Sequence, residues 1–177
     1  MTGADNQQER LIELGWVLGF VDGEGCFSLG LVRQAGSADR TGYRSGYQIF
    51  HEFVVTQGAR SAGCLYRLQR FFGVGAVMEN RRVDDHRKNI HRYVVRRREH
   101  LMGVVIPFFE EHPLFSAKQE DFEKFAICVT MMSSRQHLTA PGFAKIVGIA
   151  ETMNRKKPRT EAMRILRGHT PDAQWTG

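Results

Sequence analysis

The segment Gln8–Val21 and the four residues after it constrain the fold more than any other part of the chain. Leu11, Ile12, Leu14, Trp16, Val17, Leu18, Phe20 and Val21 spread around the whole circumference of a helix ~21 Å long. A helix that is apolar all round is expected to be buried on every side. Gly15, Gly19 and Gly23 recur every four residues and therefore stack on one face. Each costs ~1 kcal/mol against alanine in a helix interior. Repeating that cost makes sense where a second backbone must approach closely, the small-xxx-small arrangement of helix pairs. Helix termination alone accounts for Gly23 and Gly25 but leaves Gly15 and Gly19 unexplained.

After Gly25 the period changes from helical to two. Phe27, Leu29 and Leu31 alternate with Ser28 and Gly30, the pattern of a half-buried strand. A polar loop covers Gln34–Gly46. A second strand is expected over Tyr47–Gln57, with Ile49, His51, Phe53 and Val55 on one face. A helix carrying Leu65, Leu68, Phe71 and Phe72 follows and exits through Gly73 and Gly75. Ala76–Arg82 and Ile90–Arg97 read as a hairpin with its turn inside VDDHRKN. Helices are expected over His100–Glu111, Gln119–Met132 and Pro141–Asn154, with Pro113 separating the first two. The tail after Arg155 is polar and basic. The order is α-β-β-α-β-β-α-α-α, an α+β fold in a single domain over 1–177, with a core over about 8–155 and a basic polar tail over 156–177. IVGIAETMN (Ile146–Asn154) reads as an ordinary amphipathic helix and not as a second copy of Val17–Gly25.

Composition narrows the function classes. A chain of 177 residues buries enough surface to fold without a disulfide or metal staple. Net charge is +6 and the pI about 9.5, which favours a polyanionic partner. Arg81–His100 holds eight Lys or Arg and three Asp or Glu, or +8 − 3 = +5, nearly the whole excess. No apolar run approaches the ~18 residues that span a bilayer. MTGADNQQER is polar, so no secretory signal and an intracellular location are expected. Cys26, Cys64 and Cys128 are far apart and odd in number. They suggest neither a zinc site nor a disulfide framework, but small buried residues of a reducing compartment. The seven histidines show no paired ligand spacing, and His51 reads as a core or interface residue.

Asp22-Gly23-Glu24-Gly25 is the sharpest candidate for chemistry. A helix C-terminus carries partial negative charge and disfavours carboxylates. A cation there would offset both effects. Carboxylates and a free backbone carbonyl are hard oxygen ligands of the kind Mg²⁺ takes. A solvated polar turn is the plainer alternative, and composition alone favours it.

The segment Leu14–Phe27 resembles the signature of the LAGLIDADG homing endonucleases, with Val17–Gly25 filling the nine positions of the name as V-L-G-F-V-D-G-E-G. Phe53–Gln57, Val105–Leu114, Lys118 with Asp121-Phe122, and His137 through Asn154 resemble later blocks of that family. The likeness runs from about Leu11 to Asn154. It implies an αββαββα fold with additional C-terminal helices and an antiparallel sheet laid as a saddle on DNA. It further implies a homodimer joined through Gly15, Gly19 and Gly23. Glu24, with the carbonyl of Gly23, would bind a catalytic divalent metal, Mg²⁺ with Mn²⁺ as a substitute. Asp22 would tie the helix end to neighbouring backbone. Gln57 and Lys118 match family positions that order water or stabilise charge in the site. Which family lysine Lys118 replaces is open, because Ala117 stands where a second lysine is common.

The implied activity is site-specific double-strand DNA cleavage by metal-activated water at a long pseudo-palindromic target, one motif acid per strand. The alternatives on the same scaffold are an intron RNA-binding splicing cofactor and a DNA-binding regulator that does not cut. The retained Glu24 favours the nuclease over both. A two-stranded ribbon fits the major groove, and strand parity names the outward side chains. These are Ser28, Gly30, Val32 and Gln34 on the first strand, Gln48 and Glu52 on the second, and Asn80, Arg82, Arg92 and Arg96 on the hairpin.

Overall fold

The computed structural model describes residues 3–33, 47–80 and 90–153. Its elements follow the expected order: α1 (Gly3–Glu24), β1 (Gly25–Arg33), β2 (Tyr47–Gly58), a 3-10 turn (Ala59–Ser61), α2 (Ala62–Phe72), β3 (Ala76–Asn80), β4 (Ile90–Val95), α3 (Arg98–His100), a π turn (Leu101–Val105), α4 (Ile106–Glu111), α5 (Lys118–Ser133), a second 3-10 turn (Gln136–Leu138) and α6 (Ala140–Glu151). The four strands form one sheet in the order β1-β2-β4-β3. β4 pairs antiparallel with β2 and with β3. Gln34, Arg81, Arg82, the expected turn in VDDHRKN, Asn154 and the basic tail lie outside the described residues.

The chain separates into two compact units. The first takes its described residues from Met1–Phe27 and Glu52–Glu120. Its centre is aromatic. Phe27 stacks on Phe53 at 5.1 Å, and Phe109 meets both edge-on at 5.5 and 5.7 Å. Phe53 also contacts Phe72 and Tyr93 at 5.9 and 6.1 Å. Offset and edge-on pairs of this kind contribute ~0.5–1.5 kcal/mol each beyond their buried area. The second unit takes Ser28–His51 and the described part of Asp121–Gly177. It buries Leu29 and Ile49, the α5 residues Phe122, Phe125, Val129 and Met132, and the α6 residues Phe143, Ile146 and Val147. Cys128 is buried there as well, and burial pushes its thiol up to about 12, against a smaller lowering by Lys145. All three cysteines are free, and Cys26 and Cys64 are half-buried, more open than expected.

Two features depart from the sequence pattern. The helical run Arg98–Glu111 begins two residues early and contains a π turn, in which the Ile106 N–H reaches back to the Leu101 carbonyl. Pro107 follows directly, and its missing N–H leaves the carbonyl four residues earlier without the usual partner. The widened turn accommodates the proline without ending the helix. In β2, period two fails over Glu52–Val55, where four consecutive residues are buried. Val54 belongs to the face opposite Phe53 and Val55, yet pairs with Val94, which is also buried.

α2 buries Leu65, Leu68 and Phe72 on one face and stops at Gly73, whose φ is +67°. Gly75 has φ +81°. The segment between α2 and β3 is held by Gln69 Nε2 donating to the Gly75 carbonyl at 3.2 Å and the Tyr93 hydroxyl donating to the Val74 carbonyl at 2.9 Å. A Cβ on Gly75 would stand 2.7 Å from the Val94 carbonyl oxygen, whereas one on Gly73 would meet nothing within 4 Å. Gly73→Ala is expected to cost ~1–2 kcal/mol from its left-handed backbone alone. Gly75→Ala should cost measurably more, because strain and collision add. Equal urea midpoints for the two variants would contradict this account.

Candidate active site and nucleic-acid interface

α1 runs without interruption through the paired acids to Glu24, and β1 begins at the next residue. Gly25 is buried, and a Cβ on it would fall 2.7 Å from both the carbonyl oxygen and a methyl of Val21. Gly25 is therefore required by the close passage of the strand start against the last helical turn. Its φ is not in the left-handed range, so it is not a left-handed helix cap.

Two groups tie this helix end to the segment between α4 and α5. Asp22 accepts from the Phe115 N–H at 3.1 Å, from the Ser116 N–H at 3.2 Å and from the Ser116 hydroxyl. In return the Lys118 ammonium donates to the Val21 carbonyl at 2.9 Å. A cation at the C-terminal carbonyls of a helix is favourably placed against the helix dipole. Partial burial acts to raise the Asp22 pKa. The Ser116 hydroxyl, the two backbone N–H groups and the Lys118 charge outweigh it and hold the carboxyl below its ordinary value. Asp22 thus ties helix to backbone, as its resemblance-based role requires.

Glu24, the last residue of α1, is exposed. Gly23 beside it is also exposed, and its carbonyl belongs to the final turn, where helices lack internal acceptor partners. Lys118 is brought to this same helix end. Gln57 is half-buried one residue from the end of β2 and pairs across the sheet with His91. Among the described residues no three His, Cys, Asp or Glu side chains converge to hold a metal ion. One carboxylate and one carbonyl fit Mg²⁺, which takes few protein ligands and keeps water and phosphate oxygens.

The remaining circumference of α1 corrects the expectation of burial on every side. Val17 and Val21 are fully buried. Trp16 stacks on Phe20 at 5.2 Å, and the Arg67 guanidinium lies 4.5 Å over the Trp16 ring while reaching Glu13 at 3.3 Å. Opposite Val17 and Val21, Leu11 and Ile12 are 62% and 63% exposed. Gly15, Gly19 and Gly23 share that side, and a Cβ on any of them would meet nothing within 4 Å. The described residues cover one side of this helix and leave the glycine stripe open.

The candidate groove-facing residues divide. On β1, Ser28 and Gly30 are half-buried and Val32 is exposed; on β2, Gln48 is exposed. Asn80 ends β3, with its backbone paired to Ile90. Gln34 and Arg82 lie outside the described residues. Glu52 requires correction. It is 4% exposed and held by Arg92 and Arg96 at 2.5 and 2.9 Å, so its carboxylate faces two guanidiniums and not open solvent. Strand parity assigned its face correctly but not its neighbours, which depend on strand pairing. Met78, opposite Arg92 on β3 and 41% exposed, was not singled out by charge or motif. Only the register places it on this face.

The chain is 40% identical to the crystal structure of the homing endonuclease I-TnaI, with a TM-score of 0.73 over 88% of this chain and 96% of that one. It belongs to the LAGLIDADG endonuclease family, whose pattern its residues 17–129 match. It is also similar to I-SmaMI bound to uncleaved DNA target in the presence of calcium ions, at 25% identity and a TM-score of 0.72, over 85% of this chain and 47% of that one. A Podospora anserina protein described as an uncharacterized 50.9 kDa protein in ND4 intron 1 is 30% identical over 126 residues, 70% of this chain and 25% of that protein. A probable intron-encoded endonuclease 2 of Neurospora crassa is 23% identical over 78% of this chain and 26% of that protein. The chain spans about a quarter of the length of these two curated relatives. No described helix is long and apolar enough to cross a membrane.

The depressed Asp22 pKa sets a direction for stability. A folded-state value below the unfolded one stabilises fully above the ordinary carboxylate range of ~4 and is lost as pH falls through the depressed value. The urea midpoints of wild type and Asp22→Asn should therefore differ most above the ordinary carboxylate range and converge as the pH falls below it. A gap independent of pH would show that the carboxylate charge contributes nothing.

Proposed function

We propose that this chain is a site-specific double-strand DNA endonuclease acting as a homodimer. The observation that carries the reading is the placement of an exposed acid, Glu24, at the end of a helix whose glycine face is open. One chain offers one such acid, and two strands must be cut. Two α1 helices packed along Gly15, Gly19 and Gly23 bring two copies of Glu24 to one centre. Two-fold symmetry of the protein then matches a pseudo-palindromic site. Glu24 and the Gly23 carbonyl supply hard oxygen ligands for Mg²⁺, for which Mn²⁺ would substitute. When bound, such an ion supplies an activated water and charge stabilisation for phosphodiester hydrolysis.

The chain's own groups do the rest. Asp22 and Lys118 hold the end of α1 in place, so Glu24 is presented without conformational search. Lys118 brings positive charge next to that end, where a scissile phosphate gathers negative charge. Gln57 offers an amide to hold a water. Arg92 and Arg96, with Val32 and Gln48 on the other strands, supply contacts to the duplex, and arginine is the commonest reader of guanine. The wider basic excess contributes phosphate contacts, which position the protein without reading sequence. The proposed location is the compartment that holds the DNA.

The decisive measurement is cleavage of the uninterrupted form of the gene that flanks this reading frame. Wild type is expected to make a double-strand break in Mg²⁺. Glu24→Gln should bind the same duplex with undiminished affinity and cut it at least ~100-fold more slowly. Tight binding by wild type without cleavage in Mg²⁺ or Mn²⁺ would sink the nuclease reading.

The assembly has its own test. Gly19→Leu meets no obstacle within one chain and replaces a poor helix former with a good one, so the fold should survive. Sedimentation should show a dimer for wild type and a folded monomer for the variant. A monomeric wild type would contradict the symmetric-site reading.

A further inference from the structure

Among the described residues, Glu52 is the one charged residue that is buried. Arg92 Nη2 donates to its Oε1 at 2.5 Å, and Arg96 Nε and Nη2 both reach its Oε2 at 2.9 Å. The β4 residues Tyr93 and Val95 are fully buried on the core face. Arg92, Val94 and Arg96 alternate with them on the other face. The pairing Phe53↔Val95, continued by one step, sets Glu52 across from Arg96, while Arg92 pairs with Thr56. Arg92 must therefore run along the sheet for several residues, past the buried Val54↔Val94 pair, to reach the carboxylate. The two arginine side chains stay 28% and 49% exposed while the carboxylate between them is 5% exposed.

This is a costly way to stabilise a sheet. Burying a carboxylate costs several kcal/mol, and apolar replacements of buried ion pairs are often neutral or stabilising. Two unpaired guanidiniums on one strand would repel each other and sample many rotamers. A shared carboxylate removes the repulsion and fixes both planes. Arg92 commits a single Nη2 donor of its five-donor guanidinium to Glu52 among the described residues, and its side chain stays 28% exposed.

We propose that Glu52 is a positioning residue that orients Arg92 and Arg96 as a fixed two-arginine reader of guanine O6 and N7 edges in the major groove, without itself touching DNA. The inference rests on the DNA-binding reading proposed above. Pre-ordered forks lose less side-chain freedom on binding, and a bidentate arginine–guanine contact discriminates against other bases. The carboxylate also neutralises one of the two positive charges, which lowers sequence-independent attraction to the phosphate backbone.

The test is selection from a randomised DNA duplex library by the full-length chain without divalent metal, so that binding is read without cutting. Wild type should enrich a motif with guanines, and Arg92→Gln and Arg96→Gln should identify which guanines depend on the two arginines. Glu52→Gln is expected to melt as a folded protein and to bind random duplex as tightly as wild type or more so. Its discrimination at those same guanines should fall by about five- to a hundredfold. A Glu52→Gln motif identical to that of wild type overturns the inference. So does relaxation confined to other positions, or an equal loss of affinity for motif and random duplex, which would mark a merely structural role. If Glu52→Gln does not fold, Glu52→Asp keeps the charge but withdraws the carboxylate by one methylene. It should also weaken discrimination at those guanines, and unchanged discrimination in it overturns the inference. A wild type that enriches no motif removes the DNA-binding reading itself, and the role of Glu52 with it.

Discussion

The reciprocal clasp at the end of α1 is the contact on which the rest of the site depends. Asp22 takes three hydrogen bonds from Phe115 and Ser116, and Lys118 returns one to the Val21 carbonyl. Residues more than ninety positions apart in sequence are thereby held against one helical turn. That turn is also where β1 departs, passing so close to Val21 that Gly25 has no room for a side chain. With the turn fixed from both directions, Glu24 is presented to solvent at a defined place. The two acids of the motif differ in what they meet: Asp22 is consumed by the architecture, and Glu24 is left exposed.

The same division between consumed and presented charge recurs on the sheet. Glu52 is buried to hold two guanidiniums that remain open to solvent. The Glu52 arrangement is not one that stability alone would select, since apolar replacements of buried ion pairs are often neutral or stabilising. The aromatic cluster around Phe53 stabilises the first unit by conventional packing. The polar clasps then place charge with a precision that packing alone does not provide, because hydrogen bonds are directional and dispersion contacts are not.

α1 shows how a hydropathy pattern is satisfied in two stages. Its apolar residues surround the axis, yet the described residues cover only the side of Val17 and Val21, with Trp16 and Phe20 flanking. Leu11, Ile12 and the three glycines are left on the open side. The stripe lacks side chains where a close backbone would need space, which is the geometric basis for proposing a second α1 there.

Much of this was legible in the residues. Period-two alternation placed β1, the glycine exits placed the end of α2, and the order of elements followed from the change of period and the positions of proline and glycine. The nine residues Val17–Gly25 pointed to the family and to Glu24. The π turn at Leu101–Val105 was not legible, because Pro107 reads locally as an interruption while the surrounding packing keeps the helix whole. The fate of Glu52 was not legible either. Parity along one strand states which face a residue occupies, but its partners come from a strand forty residues away. Local periodicity and motif spacing are properties of neighbouring residues, and the sequence by itself determined the elements, their order and the acids at the helix end. Which acid is consumed and which presented depends on groups brought from distant positions, and only the tertiary structure decided that.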